Sequence, residues 1–452
     1  MPSTYINRTV TSAGNQKTFT VSYWLKRTRI TSASEYIFCY GTENVAGSPR
    51  GYINILDTTD TFGIGFNPSG SLWYEKQSTS AYRDVNGWYH VVWSIDTTQA
   101  SEANRVKLYV NGSQVSLTGS TISQNFDTGY NSATMHELGS YPAGRANGYL
   151  DGLLAHIHLT DGYAYDASTF GEYSATSGVW KPITDPSVTY GTNGFFLKFA
   201  NAGSLGTDSS GNSNNFTVNG SGTQTLDNPS NVFATLNPLI PIGANFSNGN
   251  LTHTTTSGSY KSGFTTLGVS SGKWYSEFKF TTDTNYTGIG VANIDKGNIN
   301  TITYIGDSTN GVIFQAGSLA LYYNGGSPSW TGASCVNGDI IGIALDIDNG
   351  FIYWHKNGTY MNSGVPTSGA TGTGGFAVSN IANSDGTGTY TFGLSTSATG
   401  GTRTITCNFG NGYFETTAVS TPESDGDGFG KFEYAVPTGF YSLCTKNIIT
   451  YG

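Results

Sequence analysis

The stretch Gly338–Gly358, GDIIGIALDIDNGFIYWHKNG, decides the fold. IIGIAL and FIYWHK are short β-branched and aromatic runs, and the DIDNG between them holds an Asn-Gly pair suited to a tight hairpin turn. The second run ends on another such pair, Asn357-Gly358. The earlier segment Gly87–Val115, GWYHVVWSIDTTQASEANRVKLYVNGSQV, repeats the plan with a longer loop: YHVVWSID pairs with VKLYVNG, which closes on Asn111-Gly112. Two hairpins of one design, about a domain apart, imply antiparallel sheets in both halves of the chain.

Composition agrees with that reading. At 452 residues the chain holds two sandwiches of about 200 residues each. It contains 61 Gly and 13% aromatic residues but only 11% charged residues, against roughly 25% in ordinary soluble domains. Its surface is therefore built from Ser, Thr, Asn and Gly. Aromatic residues recur inside alternating runs throughout, which excludes a disordered chain. A net charge of −9, with 21 Lys and Arg scattered along the length, offers no basic stripe for phosphates, so nucleic acid is not an expected partner. No apolar run approaches the ~20 residues of a bilayer span, so membrane insertion is not expected. The start, MPSTYINRTVTSAGNQKTFTVSYWLKR, has no apolar core behind a basic head, and the expectation is synthesis in a cytoplasm without a signal peptide. Cys39, Cys335, Cys407 and Cys444 show no CxxC spacing and read as free, buried thiols.

Strand-like runs bounded by Gly, Asn, Asp or Ser follow one another from FTVSYWLKR (Phe19–Arg27) to GLLAHIHLTD, giving a first sandwich over 1–165. A loop-rich connector over 166–240 is expected to pack Phe170, Trp180, Phe195, Phe196 and Phe199 against it. A second sandwich covers 241–415, and 416–452 forms a C-terminal segment and tail. Neither block shows a capped helical period, so the class is all-β with very little helix.

In the first block FTVSYWLKR, GWYHVVWSID, VKLYVNG and HELGSYPAGRANGYLDGLLAHIHL, in that order, resemble the laminin G-like, concanavalin A-like lectin sandwich. In the second, SGKWYSEFKF, GIGVAN and GDIIGIALDIDNGFIYWHKNG resemble the SPRY domain. The resemblances imply two concanavalin A-like, jelly-roll-type sandwiches in tandem, each with a long hairpin in its framework. The connector segments LTDGYAYDASTFGEYSATSGVWKP, GTNGFFLKF, LGTDSSGNSNNFTVNG and LDNPSNVFATLNPL, with PTGFYSLCTKN near the end, resemble structural proteins of tailed, largely marine bacteriophages. That resemblance implies a virion protein: a tail fibre, or a capsid fibre or appendage. No RING, coiled-coil or ankyrin neighbour is present, so a ubiquitin-ligase role is not carried over.

Catalytic patterns are sparse. A glycosidase on this fold needs carboxylates at Glu-x-Asp-x-x-Glu spacing, and no such run occurs. GVSSG (Gly268–Gly272) is followed by a strand rather than a helix, so it is no nucleophile elbow. His156 and His158 in HIH alternate onto one face of a strand, with His136 or Asp161 as a third metal ligand; a half-buried strand produces the same alternation without metal. SDGDGFGKFE begins like a calcium loop at Asp425 and Asp427, but Phe429 and Val436 occupy ligand positions, so a polar turn is the reading. The lectin resemblance makes calcium the candidate ion, with Asp96 and Asp151 as ligands, although both also suit turns. For recognition, aromatic faces beside Gly-rich turns are the candidates: Trp73, Tyr74, Tyr82, Tyr141 and Arg145 in the first domain, and Tyr322, Tyr323, Trp330 and Tyr360 in the second.

The expectation is a non-enzymatic virion protein that recognises host-surface glycan or another envelope component, touches other virion proteins, needs no cofactor unless calcium, and assembles as a homo-oligomer with a trimer favoured. The alternatives are a structural decoration protein whose contacts are with other virion proteins and, third, a polysaccharide-acting enzyme.

Overall fold

A computed structural model describes every residue except 1–3, 31–32, 43–44, 46, 143–147, 241–244, 257, 283–284, 297–301 and 400. The chain divides into two compact units, Met1–Gln224 and Thr225–Gly452. Both are two-sheet β-sandwiches built almost wholly of antiparallel strands.

In the first unit one sheet contains β1 (Tyr5–Thr9), β3 (Glu35–Gly41), β4 (Arg50–Ile55), β5 (Phe62–Asn67), β6 (Tyr74–Ser78), β10 (Leu117–Gly119), β11 (Met135–Leu138) and β16 (Thr217–Asn219), in the order 10-6-5-4-3-11-1-16. The facing sheet contains β2 (Thr18–Arg27), β7 (Tyr89–Asp96), β8 (Val106–Val110), β9 (Ser113–Val115), β12 (Gly152–Asp161) and β15 (Phe195–Leu197), in the order 15-12-2-7-8-9. Alternation fills the core: Phe19, Val21, Tyr23 and Leu25 of β2 and Val91, Trp93 and Ile95 of β7 meet Phe38, Ile53, Ile55, Phe62, Ile64 and Phe66. β13 (Gly171–Tyr173) and β14 (Trp180–Pro182) form a separate ribbon.

In the second unit β17 (Asn245–Ser247), β18 (Thr252–Thr255), β20 (Lys273–Phe280), β24 (Ile340–Asp346), β25 (Phe351–Lys356), β26 (Thr359–Tyr360) and β29 (Arg403–Asn408) share a sheet, with β27 (Phe376–Ala377) beside β25. Facing it are β19 (Lys261–Phe264), β21 (Thr287–Asn293), β22 (Gly311–Gln315), β23 (Ala320–Tyr323) and β28 (Tyr390–Thr396). One short helix, α1 (Thr445–Tyr451), follows.

The division at 224/225 falls before the end of the segment read as a connector. Residues 225–240 join the second unit because Ala234 and Leu236 are buried in its core and Ala234 N–H donates to Leu443 O at 2.9 Å. The C-terminal segment is likewise packed down: Phe432 and Phe440 lie against Tyr275, Ala344 and Tyr353. All four cysteines are free and buried.

The two hairpins agree down to individual hydrogen bonds. Asn111 and Gly112 (φ 48° and 84°) join β8 to β9, and Asn357 and Gly358 (φ 48° and 81°) join β25 to β26, both with the left-handed backbone of a type I′ turn. In each, the asparagine clips the start of the preceding hairpin strand. Asn111 N–H donates to His90 O (2.9 Å) while its Oδ1 accepts from His90 N–H (2.8 Å). Asn357 N–H donates to Ile340 O and its Oδ1 accepts from Ile340 N–H, both at 2.8 Å. The DIDNG turn departs from expectation: Ile347–Gly350 is a four-residue loop in which Asp346 Oδ1 accepts Asn349 N–H (2.9 Å), not a two-residue Asn-Gly turn.

Replacing Asn111 or Asn357 by Ala removes an acceptor from a buried N–H and puts at positive φ a residue without asparagine's local tolerance of the left-handed region, each costing about 1–2 kcal/mol. Either variant is expected to lower its own unit's stability by about 2–3 kcal/mol in urea unfolding, and a change within about 0.5 kcal/mol would contradict the clip.

Burial also sets the acid response. All six histidines are held below their ordinary pKa by desolvation, His90 and His355 to about 3 and His136 and His253 to about 4. The unfolded chain therefore takes up protons below about pH 6.5 that the folded chain refuses, and this stability, fully present above pH 6.5, is lost as pH falls. Glu35 and Glu277, raised to about 7 by burial, work in the opposite sense between about pH 7 and 4.5. The first unit sets four histidines against Glu35 and Glu75, whose carboxyl burial also raises, and the second sets two against Glu277. Urea midpoints read unit by unit through hydrogen exchange are expected to fall from pH 7.5 to 5 mainly in the first unit; equal midpoints at the two pH values would refute this.

Candidate functional site

The first unit's sheets differ in what covers their outer faces. Over β2, β7 and β8, the outer residues Val92 and Tyr109 are roofed by Ala167, Phe170, Trp180 and Val188. Trp180 Nε1–H donates to His90 Nδ1 (2.9 Å), which leaves the His90 Nε2 proton for Ser22 Oγ (2.9 Å), and Trp24 stacks on the imidazole at 4.7 Å. That face is filled.

The outer face of the other sheet carries a different set. With Ile53, Ile55, Phe62, Ile64 and Phe66 pointing inward, strand alternation turns Arg50, Tyr52 and Asn54 of β4, Gly63, Gly65 and Asn67 of β5, and Glu75 of β6 outward. The register runs Glu75, Gly65, Tyr52, Cys39, Glu137 across five strands. Gly65 opens the floor: a β-carbon there would stand 2.7 Å from the Tyr52 ring, which lies across it. Tyr36 stacks on Tyr141 (4.7 Å, 16°) and meets Tyr52 edge-on (5.5 Å, 79°). Tyr52 in turn touches Trp73 at 5.2 Å, and the Arg50 guanidinium lies 5.3 Å over the Trp73 ring. Trp73 is 40% exposed, so its ring is open to a ligand where those beneath are half-buried.

Burial raises the hydroxyls of Tyr36, Tyr52 and Tyr141, so they stay neutral donors, and also lifts the Glu75 carboxyl above the usual carboxylate range. Asn54 Oδ1, Asn67 Oδ1 and Arg50 Nε are buried and reach no partner among the described residues. Aromatic faces ringed by a guanidinium, a carboxylate and amides can hold a sugar ring by its C–H face and its hydroxyls. The carboxylates of this face do not make a glycosidase pair: Glu75 and Glu137 stand four strand spacings apart, about 19 Å, against roughly 5–9.5 Å for glycoside cleavage.

Of the aromatic residues singled out from sequence, Trp73 and Tyr141 are on this platform. Arg145 lies outside the described residues. Tyr74 packs on Phe126 (4.7 Å) and Tyr82 on Phe62 (4.6 Å), both against the core. Tyr36, Tyr52, Arg50 and Glu75 were missed, although the alternation in EYIFCYG and RGYINI and the paired glycines of FGIGF signal them. In the second unit Tyr322, Tyr323, Trp330 and Tyr360 do not converge. Neighbours on β23, Tyr322 and Tyr323 face opposite sides, towards Tyr304 and towards Phe376. Trp330 packs edge-on against Trp354, and Tyr360 against His355.

The candidate metal ligands are also dispersed. Asp96 sits opposite Thr18 at the start of β2 and its carboxylate accepts from Thr98 and Gln99. Asp151 lies beyond the other end of β2, accepting from Thr28 (2.8 Å) and pairing with Arg29 (3.2 Å). His156 and His158 do not follow the strand alternation expected of them, because a β-bulge separates Ala155 from His158 and holds His156 at φ 46°. His158 is buried, stacks on Phe196 at 3.9 Å and pairs through Nδ1 with Tyr190 Oη at 3.0 Å. His136 Nε2 accepts Asn131 N–H, and Asp161 accepts Asn15 and Asn193 N–H. Among the described residues no group of three or more His, Cys, Asp or Glu stands where it could hold a metal ion.

With this geometry the first unit is a lectin-like sandwich bearing a partly exposed aromatic cluster on one outer face. Residues 3–167 match the family described as the concanavalin A-like lectin/glucanases superfamily. Similar solved structures include the SPRY domain of human HERC1 (19% identity, 38% of this chain and 96% of that one, TM-score 0.30) and the TRIM65 PSpry domain (13%, 39% and 91%, TM-score 0.28). Among curated proteins none matches the sequence.

Enlarging the floor tests the platform. Gly65→Val must displace the Tyr52 ring, at a cost of about 1–3 kcal/mol, and is expected to change the near-ultraviolet tyrosine circular dichroism and the Trp73 emission; unchanged spectra would contradict the arrangement.

Proposed function

We propose that the chain is a non-enzymatic recognition component of a tailed-phage virion, a tail fibre or capsid appendage that binds host-surface glycan through the open face of its first unit. The observation that carries the glycan reading is the convergence of Tyr36, Tyr52, Trp73 and Tyr141 with Arg50 and Glu75 on the outer face of the sheet opposite the one roofed by Phe170 and Trp180. A lectin-like sandwich suggests carbohydrate or protein binding, and the phage setting rests on the connector's resemblance to phage structural proteins. In this reading other virion proteins anchor the chain in a symmetric homo-oligomer, and no metal takes part, since the carboxylate of Asp96 is engaged by Thr98 and Gln99 of its own loop and that of Asp151 by Thr28 and Arg29.

The test is a glycan array probed with the full chain and with Trp73→Ala and Tyr52→Ala, with and without EDTA, alongside mass spectrometry of purified virions. Each substitution is expected to weaken binding about tenfold or more, as loss of a stacked ring does, and EDTA to change nothing. Equal binding by the variants would remove the platform from the function, and absence from virions would remove the setting.

A further inference from the structure

The second unit holds a cleft of about 720 Å³ remote in sequence from the aromatic platform, within the ~300–1,000 Å³ of small-ligand sites. Its floor is Val378, Ala382 and Tyr390, and one wall is the Ile347–Gly350 loop of the β24–β25 hairpin. The opposite wall is a stiff turn: Asn383 N–H donates to Thr387 O (2.8 Å), Gly386 N–H to Asn383 O (2.9 Å), and Asp385 accepts from both Thr387 N–H (3.0 Å) and its hydroxyl (2.6 Å). Asn293 Nδ2 ties the base of that turn to β21 through Ile381 O (3.0 Å).

Into this cleft face Ser270, Ser379, Ser384 and Thr389 and the exposed Asp295 carboxylate. Among the described residues none of these five side chains has a hydrogen-bond partner, in a chain whose Asp and Asn side chains are mostly engaged in turns. Groups that both donate and accept, set around a carboxylate acceptor, complement vicinal hydroxyls. Ile347, Val378 and Ala382 add apolar surface suited to the C–H face of a pyranose. Among the described residues no Lys or Arg lines the cleft; the Lys296 ammonium, next to Asp295 in the chain, donates to Asn380 O (3.2 Å), and the Asp295 carboxylate that does line it repels a phosphate, sulfate or carboxylate.

We propose that this cleft is a second ligand site of the protein, taking a short oligosaccharide without acidic groups. The site stands on different residues from the platform and does not need it.

The experiment uses the full chain on an array of immobilised neutral, amino and acidic oligosaccharides, in four forms: unaltered, Trp73→Ala/Tyr52→Ala, Asp295→Ala/Thr389→Val, and all four substitutions together. Asp295 and Thr389 lie at the rim, and thermal melts of each form establish that it is folded. The Trp73→Ala/Tyr52→Ala chain is expected to keep binding neutral or amino oligosaccharides, and the fourfold variant to lose that binding about tenfold or more. The inference is overturned if the Trp73→Ala/Tyr52→Ala chain binds nothing, if the residual binding survives in the fourfold variant, or if acidic oligosaccharides bind the cleft as well as neutral ones. A platform variant that binds as tightly as the unaltered chain, with binding lost on changing Asp295 and Thr389, would sink the platform reading and leave this one standing.

Discussion

The asparagine clip is the constraint on which both sandwiches turn. A long hairpin has to end its second strand and still leave that strand in register with the first. In each unit an asparagine at positive φ does both, reversing the chain and closing a two-bond ring with the residue that opens the preceding strand, His90 in one case and Ile340 in the other. Register then decides everything lateral to it, because a slip of one residue would exchange inner and outer faces. With β7 fixed, Val91, Trp93 and Ile95 go to the core and His90 and Val92 go out to meet the connector. With β24 fixed, Ile341, Ile343 and Leu345 go in and Ala344 goes out to meet the C-terminal segment.

What lies over the outer faces of each unit then separates roofed faces from one whose aromatic residues stay partly exposed within its unit. A sandwich has two outer faces, and a chain with this many aromatic residues cannot leave both apolar and bare. The first unit roofs one with Phe170 and Trp180, and a buried histidine serves there as a hydrogen-bonding spacer between Ser22 and the Trp180 indole. In the second unit the roof is the C-terminal segment, latched by Glu277, whose carboxylate accepts Glu433 and Tyr434 N–H at 2.8 Å while Tyr275 links it to His355. The other sheet of the first unit leaves Trp73 exposed over half-buried tyrosines, with Arg50 and Glu75 beside them.

Much of this was legible in the sequence. Strand alternation and the Asn-Gly pairs point to two antiparallel sandwiches, and Trp73 and Tyr141 stand out beside their turns. Tyr74 and Tyr82 failed because proximity to a turn does not say which face a side chain takes; that depends on register with Phe66 and Phe62, which only pairing across strands fixes. Tyr36 and Tyr52 were hidden for the converse reason. Each looks like a core residue in its own strand, and the glycine that makes room lies elsewhere, Gly65 on a neighbouring strand for Tyr52 and Gly148 outside any strand for Tyr36. The HIH pair misled because period-2 reasoning assumes an unbroken strand, and a bulge is invisible until the partner strand is known. The connector's end was misplaced because Ala234 and Leu236 are too isolated among polar residues to announce the core they enter.

The dispersal of the supposed calcium ligands follows from the same economy of charge. Long loops rich in Ser, Asn and Gly must satisfy many backbone N–H groups, and a bound cation with its carboxylates is one way to organise such a loop. A single carboxylate can serve instead, because it accepts several hydrogen bonds at once and charge-assisted ones are the stronger kind. Asp425 takes five donors, from Phe429, Gly430, Ser442 (twice) and Asn447. Asp208 takes four and so gathers the DSSGNSNN loop onto β15, and Asn212 and Asn214 reach on from there to the carbonyls of Gly191, Thr192 and Gly194. With only 11% charged residues, the chain places several of its carboxylates where loops must be pinned. The motif that begins like a calcium loop at Asp425 thus has the donors of a turn around it, and a carboxylate already saturated by N–H groups has little left with which to coordinate a metal.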